Sequence, residues 1–495
     1  MPIRMHDTLR RQKVDFSTIE PGKVSMYVCG VTVYDRCHLG HARCYLSFDL
    51  IHRWLEKSGF DVHYVQNFTD IDDKIINRAN ELDGDWKKLV DDNIATYYQD
   101  MDALNILRAD DYPRCTDYVD DMIRITADLI EKGNAYVADD GVYFSIESAP
   151  EKYGMLTGQI LENVRSGAGG RVDDTGKSKR DHKDFALWKA AKPGEPTWDS
   201  PWGAGRPGWH IECTAMSMDY FGAQFDIHGG GHDLRFPHHE AEIFQGECHT
   251  GCSPVVHHWL HNGFVNLDGE KMSKSLGNFW TINEILQKVD AMVLRFALIN
   301  AHYSSPIDMN DALLNDAERN YNRVLECYVA SLKGCLAKND VPLPVADFAS
   351  TNPLSKSLAL LEKMGEGFAK AMDDDFNSRE AVAKVLGAVR EIMKMHNSDM
   401  DAVDSNAFAH YAVDWLEETA GAVLGVLPTR EMALAEPEED PHKLEITDEV
   451  DALLLARTQA RSDKDWAKAD EIRDKLQQMG VVVTDTAEGP TWDLA

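Results

Sequence analysis

No run of about 18 uncharged apolar residues occurs anywhere in these 495 residues, so no membrane-crossing helix is expected. A surplus of positive charge is missing too: 51 lysines and arginines face 83 aspartates and glutamates, a net charge of −32. That balance excludes broad, non-specific polyanion binding, although net charge is a sum and leaves room for a local basic groove. Cysteine is sparse at nine, odd in number and irregularly spaced, which excludes a disulfide framework and suits a reducing cytoplasm. The start, MPIRMHDTLRRQKVDF, lacks an apolar core and a small-residue cleavage site, so no secretory signal is expected. No internal repeat and no long low-complexity tract is found, which leaves out a solenoid.

What is there is an ordinary globular composition, 43% hydrophobic and 27% charged, and at roughly 150 residues per domain the length suggests about three domains. Residues 24–33 (VSMYVCGVTV) read as a buried strand, a short loop runs from Tyr34 to Gly40, and a helical stretch extends from His41 to about Lys57. DVHYVQNFTDIDD then reads as a strand and turn. Strand, helix, strand within about 45 residues is a βαβ unit, hence a parallel sheet. Residues 74–132 look mostly helical, and 135–202 look irregular, with a Gly-rich charged loop at SGAGGRVDDTGKSKRDHKD, as an insertion into the sheet domain would. Strand signals return at QFDIHGGG and HHWLHNGFVNL. From Ile282 to about Val426 apolar residues recur every three or four positions (Leu354, Leu358, Leu361, Met364), the pattern of a helical bundle. An acid- and proline-rich linker follows at 428–444, then a small unit at 445–495 of two short helices and the strand GVVVTD.

Three constellations carry chemistry. His38-Leu39-Gly40-His41 follows the first strand and opens a helix, so two imidazoles join the unpaired N–H groups and the helix dipole that favour phosphate. Gly40 lets a ligand approach the backbone. About 230 residues on, Lys271-Met-Ser-Lys274-Ser275 sets two ammonium groups three apart in a Gly-flanked loop, suited to the charge that grows on a leaving pyrophosphate. The third runs from Trp209 to Cys252, with six histidines and three cysteines between His210 and Cys252. Pro237 suits a first helical turn, which puts His238 and Glu242 at i and i+4 on one face. With Cys213 and Cys29 they make a four-ligand zinc set of two cysteines, one histidine and one glutamate. Spacing alone leaves His239 with Glu242 as a rival pair, and Cys248 with Cys252 as competing thiols.

The stretches YVCGVTVYDRCHLGHAR, NFTDIDDKII, GRPGWHIEC, FDIHGGG, FPHHE and KMSKSLGN closely resemble the cysteine-specific branch of the class I aminoacyl-tRNA synthetases, and the resemblance runs from about residue 1 to 495. It implies an α/β fold: a Rossmann-type parallel-sheet catalytic domain at 1–281 with a connective insertion at about 120–202. An α-helical bundle that binds tRNA (282–427), the linker (428–444) and a small C-terminal α+β anticodon-recognition unit (445–495) would follow. It assigns one Zn2+ per chain to Cys29, Cys213, His238 and Glu242, which resolves the rival pairings, and ATP, brought with Mg2+, to His38, Gly40, His41, Lys271 and Lys274. Lys274 matches the family's ATP-binding lysine. Trp209, Thr69, His228 and His239 fall around the amino-acid pocket, with His210 beside them, and Asp233 at the ribose. Arg461, Trp466 and Asp470 fall at positions for anticodon bases; a solvated helix face is the alternative. The unit at 445–495 holds 6 basic and 12 acidic residues, so RNA binding there rests on resemblance, not charge. Two departures stand out: the family's HIGH reads HLGH here, and His232 occupies a place where serine is common.

The activity implied is activation of L-cysteine by ATP to cysteinyl-adenylate with release of pyrophosphate, then transfer to the 3′ end of tRNA(Cys), by a cytoplasmic monomer. Cysteine and serine differ by one atom. A neutral hydrogen bond is worth only about 1 kcal/mol, whereas rejecting a competitor by about 10⁴ takes roughly 5.5 kcal/mol. A zinc that takes the substrate thiolate supplies that difference, because zinc prefers sulfur to a protonated hydroxyl. No separate editing domain is then needed. Three other readings compete. A cysteine:amino-sugar ligase would share the zinc and adenylation chemistry but has no use for the C-terminal unit. An inactive RNA-binding paralogue would have no reason to keep HLGH, KMSKS and four ligands. A zinc hydrolase would want an open zinc with water and leaves KMSKS unexplained.

Overall fold

The computed structural model describes residues 2–158, 178–267, 269–271, 280–336, 353–435, 441–463, 465–486 and 489–494. It divides into two compact units, 1–433 and 434–495. The first opens with a hairpin, β1 (Arg4–Asp7) and β2 (Gln12–Asp15), and enters a βαβ unit of β3 (Lys23–Val28), α1 (Leu39–Lys57) and β4 (Asp61–Gln66). Residues 74–132 are less continuous than the sequence suggests. They hold α2 (Asp73–Glu81), α3 (Trp86–Ala103) and α4 (Val119–Glu131), with a non-helical stretch that pairs Gln66 and Phe68 to Asp111 and Pro113.

The insertion is also more ordered than it reads. β5 (Ala135–Ala138), β6 (Gly141–Phe144), β7 (Phe185–Ala190) and β8 (Gly205–Pro207) form an antiparallel sheet in sequence order. Its strands are short and its long connection hides the pairing from a pattern search, since residues 144 and 185 meet only in space. Most of the Gly-rich loop expected there, 166–177, lies outside the described residues. The chain then returns to the first sheet through α5 (Trp209–Phe221), β9 (Phe225–Gly231), α6 (His238–Thr250) and β10 (Val256–Asn262). The resulting parallel sheet has the order β10-β9-β3-β4, with every pairing parallel. HHWLHNGFVNL, which reads as one strand, breaks at Gly263. Its second half is β11 (Val265–Leu267), which pairs with β12 (Glu270–Lys271) and β13 (Ile307–Met309) in another sheet.

Between β12 and β13 lie α7 (Ile282–Leu286) and α8 (Ala291–Ile299); α9 (Asp311–Leu336), α10 (Pro353–Asp373), α11 (Ser378–His396), α12 (Ala402–Leu416) and the short α13 (Arg430–Leu434) follow. The second unit has α14 (Pro441–Ser462), α15 (Trp466–Gln478) and a hairpin of β14 (Val481–Thr486) with β15 (Gly489–Leu494). Its core is Val450, Leu454, Ile472, Leu476 and Val481. The final strand was not legible as one, because GPTWDL begins with Gly-Pro and has little apolar alternation. No described helix is long and apolar enough to cross a membrane.

Helix α1 is buried on nearly every side, as its apolar sequence requires, with Leu46, Phe48, Ile51 and Leu55 in the core. Its polar residues are buried as a network. Asp49 accepts both oxygens' worth of bonds from Arg53 Nε (2.9 Å each), one from Arg295 Nη2 (2.5 Å) and one from Leu107 N (2.9 Å). Arg295, on α8, also donates to the carbonyls of Leu104, Asn105 and Leu424, and Arg53 to those of Asn105 and Ala422. Burial alone would raise the Asp49 carboxyl, but Arg295 and Arg53 hold it below its usual value. Its contribution to stability is therefore complete above the ordinary carboxylate range and is lost as pH falls through that lowered value.

Close approach is enforced at Gly30, where an added Cβ would stand 1.4 Å from the Asn67 carbonyl oxygen, and at Gly229, where it would strike the Phe48 ring at 2.2 Å. Two outcomes follow. Asp49→Ala leaves two buried guanidinium groups uncompensated and lowers stability by about 3–5 kcal/mol in calorimetry or denaturant titration, whereas breaking the water-exposed Lys88–Asp92 pair leaves the curve in place. Gly30→Ala forces β3 and the 67–69 segment apart and costs roughly 1–3 kcal/mol, read as a fall in Tm.

Candidate active site

The carboxyl ends of β3, β4 and β9 open on a cleft with about 440 Å3 of space, within the range of small-molecule sites. Residues Cys29 and Gly30 reach it directly from β3, and α1 begins at its wall. His38 is the N-cap of α1: its Nδ1 accepts from Gly40 N at 3.0 Å, and His41 Nδ1 accepts from His38 N at 3.3 Å. The rings stack with centroids 3.8 Å apart. A ring nitrogen that accepts a backbone N–H is unprotonated, so each neutral ring carries its hydrogen on Nε2 as a donor. His38, Gly40 and His41 all line the cleft.

Cys213 on α5 and His238 and Glu242 on α6 converge on Cys29. Cys29 Sγ lies 3.5 Å from Cys213 Sγ and 3.8 Å from Glu242 Oε1; His238 Nε2 lies 3.4 Å from Cys213 Sγ and 3.1 Å from Glu242 Oε1. One donor atom from each of the four falls within 4.8 Å of the others. Metal–ligand bonds of about 2.0–2.3 Å at tetrahedral angles separate ligand atoms by about 3.3–3.8 Å, so the set fits zinc. Burial pushes both thiols up, so two thiolates here require a compensating cation.

A second set, Cys29, His228, His239 and Glu242, meets the same distance test and shares two members with the first. Its histidines sit differently. Cys29, Cys213 and His238 line the cleft, whereas His228 and His239 lie fully buried behind them. His228 Nε2 holds the other oxygen of Glu242 at 2.7 Å. His239 bridges Cys29 Sγ (3.2 Å) to His261 (2.8 Å), which continues to Thr8 (2.8 Å). Burial lowers both His239 and His261, so this chain is neutral. His210 Nδ1 meets His238 Nδ1 at 3.1 Å, leaving Nε2 toward the cluster, as a partner of a ligating imidazole does.

Trp209 lines the cleft and stacks on His238 at 4.3 Å. Thr69 and Asp233 also line it, the latter in a short turn, 232–235, after β9, and His232 sits edge-on to Phe264. Sequence reasoning missed Glu212. It is buried beneath Thr69, accepts from Thr69 Oγ1 (3.1 Å) and Cys115 Sγ (3.2 Å), and burial raises its carboxyl well above the usual value. Its place beside Cys213 in GRPGWHIEC was the available signal. Lys271 is the last residue of β12, and Lys274 lies outside the described residues. In the second unit Arg461 is near the end of α14, while Trp466, 60% exposed, and Asp470, paired with Arg473 at 3.1 Å, are on α15; the three do not share one helix.

Three family models match the chain: a class I tRNA synthetase (C) catalytic domain over 15–319, a DALR domain over 367–428 and a cysteinyl-tRNA ligase anticodon binding domain over 444–492. It is 45% identical to a cysteine–tRNA ligase of Pelobacter propionicus, covering 100% of both chains, and 46% identical to one of Chromobacterium violaceum, covering 99% of both. Among solved structures, methionyl-tRNA synthetase of Mycobacterium tuberculosis shares the fold at a TM-score of 0.61 and 15% identity, over 85% of this chain and 95% of that one. End-to-end similarity at this level, together with the catalytic and anticodon-domain matches, means that this chain belongs to the cysteine–tRNA ligase family of class I aminoacyl-tRNA synthetases.

Proposed function

We infer that the cleft joins cysteine to ATP, releasing pyrophosphate, and passes the cysteinyl group from the adenylate to the 3′ end of tRNA(Cys). The observation that carries this reading is the convergence of Cys29, Cys213, His238 and Glu242 beside the capped N-terminus of α1. Those four residues would hold one zinc per chain, which would supply a preference for the substrate thiolate over a protonated hydroxyl and so separate cysteine from serine. The first set is preferred to the one containing His228 and His239 because Cys213 and His238, the members it does not share, line the cleft where substrate arrives. His228 and His210 then orient Glu242 and His238, and His239 packs against Cys29 from behind.

His38 and His41 direct Nε2 donors at the phosphates, helped by the dipole of α1, while Lys271 and Lys274 balance the charge of the departing pyrophosphate, carried with Mg2+. Trp209 walls the amino-acid pocket. Thr69, held by Glu212, is set to bind the substrate amino group, and Asp233 the ribose. The anticodon-domain match over 444–492 supports tRNA as acceptor over an amino sugar, with Arg461, Trp466 and Asp470 as base contacts. A reducing cytoplasm is supported by nine cysteines that form no disulfide.

Amino-acid-dependent ATP–pyrophosphate exchange tests this. Cysteine supports exchange, serine does not, and stripping the metal with a chelator removes the cysteine signal. Exchange that survives metal removal, or that serine supports equally, overturns the zinc role. Cys213→Ser is expected to lose bound zinc and to lower cysteine exchange by at least about 100-fold, as loss of a ligand or its partners typically does. Full zinc content by atomic absorption in that variant would refute the ligand assignment.

A further inference from the structure

Lys74 is the one lysine or arginine among the described residues lining the cleft, and the roles above leave it unused. It stands at the cleft mouth, exposed, in the first turn of α2, with its ammonium 5.2 Å from the centre of the Tyr34 ring, another lining residue. Its backbone is fixed, since Asp72 caps α2 by accepting from Lys74 N at 2.9 Å. Asp73 binds Lys189 at 2.8 Å and Arg206, both in the insertion, and although burial alone would raise it these two cations hold it at about 2. Asp70 takes two bonds from Thr116.

Position in the sheet sets Lys74 apart from Asp233 and Lys271. In the order β10-β9-β3-β4, Asp233 follows β9, and β12 with Lys271 follows β10, on one flank; α2 follows β4, the opposite edge strand. The flank of Lys74 is that of the insertion, through the Asp73–Lys189 and Asp73–Arg206 pairs. An exposed cation held against an aromatic ring at the rim of a cleft is the equipment with which proteins receive single-stranded nucleic acid: charge for the backbone and a ring beside it. In a chain of net charge −32, a lysine at that spot is also a local exception to the overall repulsion of RNA.

Building on the proposed aminoacylation, we propose that Lys74, steadied by Tyr34, contacts a phosphodiester of the single-stranded 3′ end of the tRNA and guides it to the adenylate. It acts in transfer, after activation is complete.

Two assays on the full-length, zinc-loaded enzyme test this: cysteine-dependent pyrophosphate exchange, and charging of tRNA(Cys) under conditions limited by kcat/KM for tRNA. In Lys74→Gln the charging defect exceeds the exchange defect by about tenfold, and Lys74→Arg restores charging. The dependence of log kcat/KM for tRNA on log salt becomes shallower by roughly 0.7, the value of one phosphate contact to a single strand. Equal losses in both assays would place Lys74 on the adenylate, and unchanged charging would leave it without a role; either overturns the proposal. Absence of cysteine-dependent exchange in the unsubstituted enzyme would instead refute the aminoacylation reading itself.

Discussion

Asp49 lies fully buried between the guanidinium groups of Arg53 and Arg295, and the architecture of the first unit turns on that contact. Two buried cations around one anion are tolerable only because the remaining N–H groups meet backbone carbonyls, at residues 104, 105, 422 and 424. Those carbonyls belong to the end of α3 and to the turn that closes the helical half. Arg43, six residues before Asp49 on α1, does the same with the carbonyls of Leu298, Ala301 and His302. Helix α1 is thus fixed along its length to three other segments, and its N-terminus, which carries His38 and His41, is also tied through Cys37 and Leu39 to the backbone of Ile282 and Trp280.

The same logic of completed partners explains the selecting end of the cleft. Two of the groups that could ligate zinc have their other atoms occupied: Glu242 by His228, and His238 by His210. Those partners fix the orientation of both side chains, which the proposed discrimination between sulfur and oxygen needs. The neutral His239–His261–Thr8 chain fills the space behind the thiols with hydrogen-bonded groups and adds no further charge to a buried site.

Much of this was legible in the sequence, and the reasons are local. HLGH sits directly after an apolar strand, KMSKS is short and distinctive, and FPHHEAE places His238 and Glu242 one turn apart, so each signal fits within a dozen residues. Cys29 could be joined to them only through resemblance, since nothing in local spacing relates it to Cys213, 184 positions away. The antiparallel sheet of the insertion and the strand at 489–494 escaped because their partners are remote or their sequences lack alternation. Glu212 escaped for another reason: a single glutamate on a helix reads as exposed, and only packing against Thr69 and Cys115 buries it. The Asp49 network was equally hidden, because Asp49 and Arg53 look like an ordinary i, i+4 surface pair until Arg295 arrives from 246 residues away.

The cap on α1 has one more consequence. His38 and His41 each spend Nδ1 on a backbone N–H, and an imidazole that gains a second proton loses that acceptor. A second proton on either ring therefore gives up one bond at the start of the helix, at a cost of about 1 kcal/mol. In the proposed reaction the rings therefore act as dipoles held by the helix, and full positive charge at the phosphate end falls to lysines.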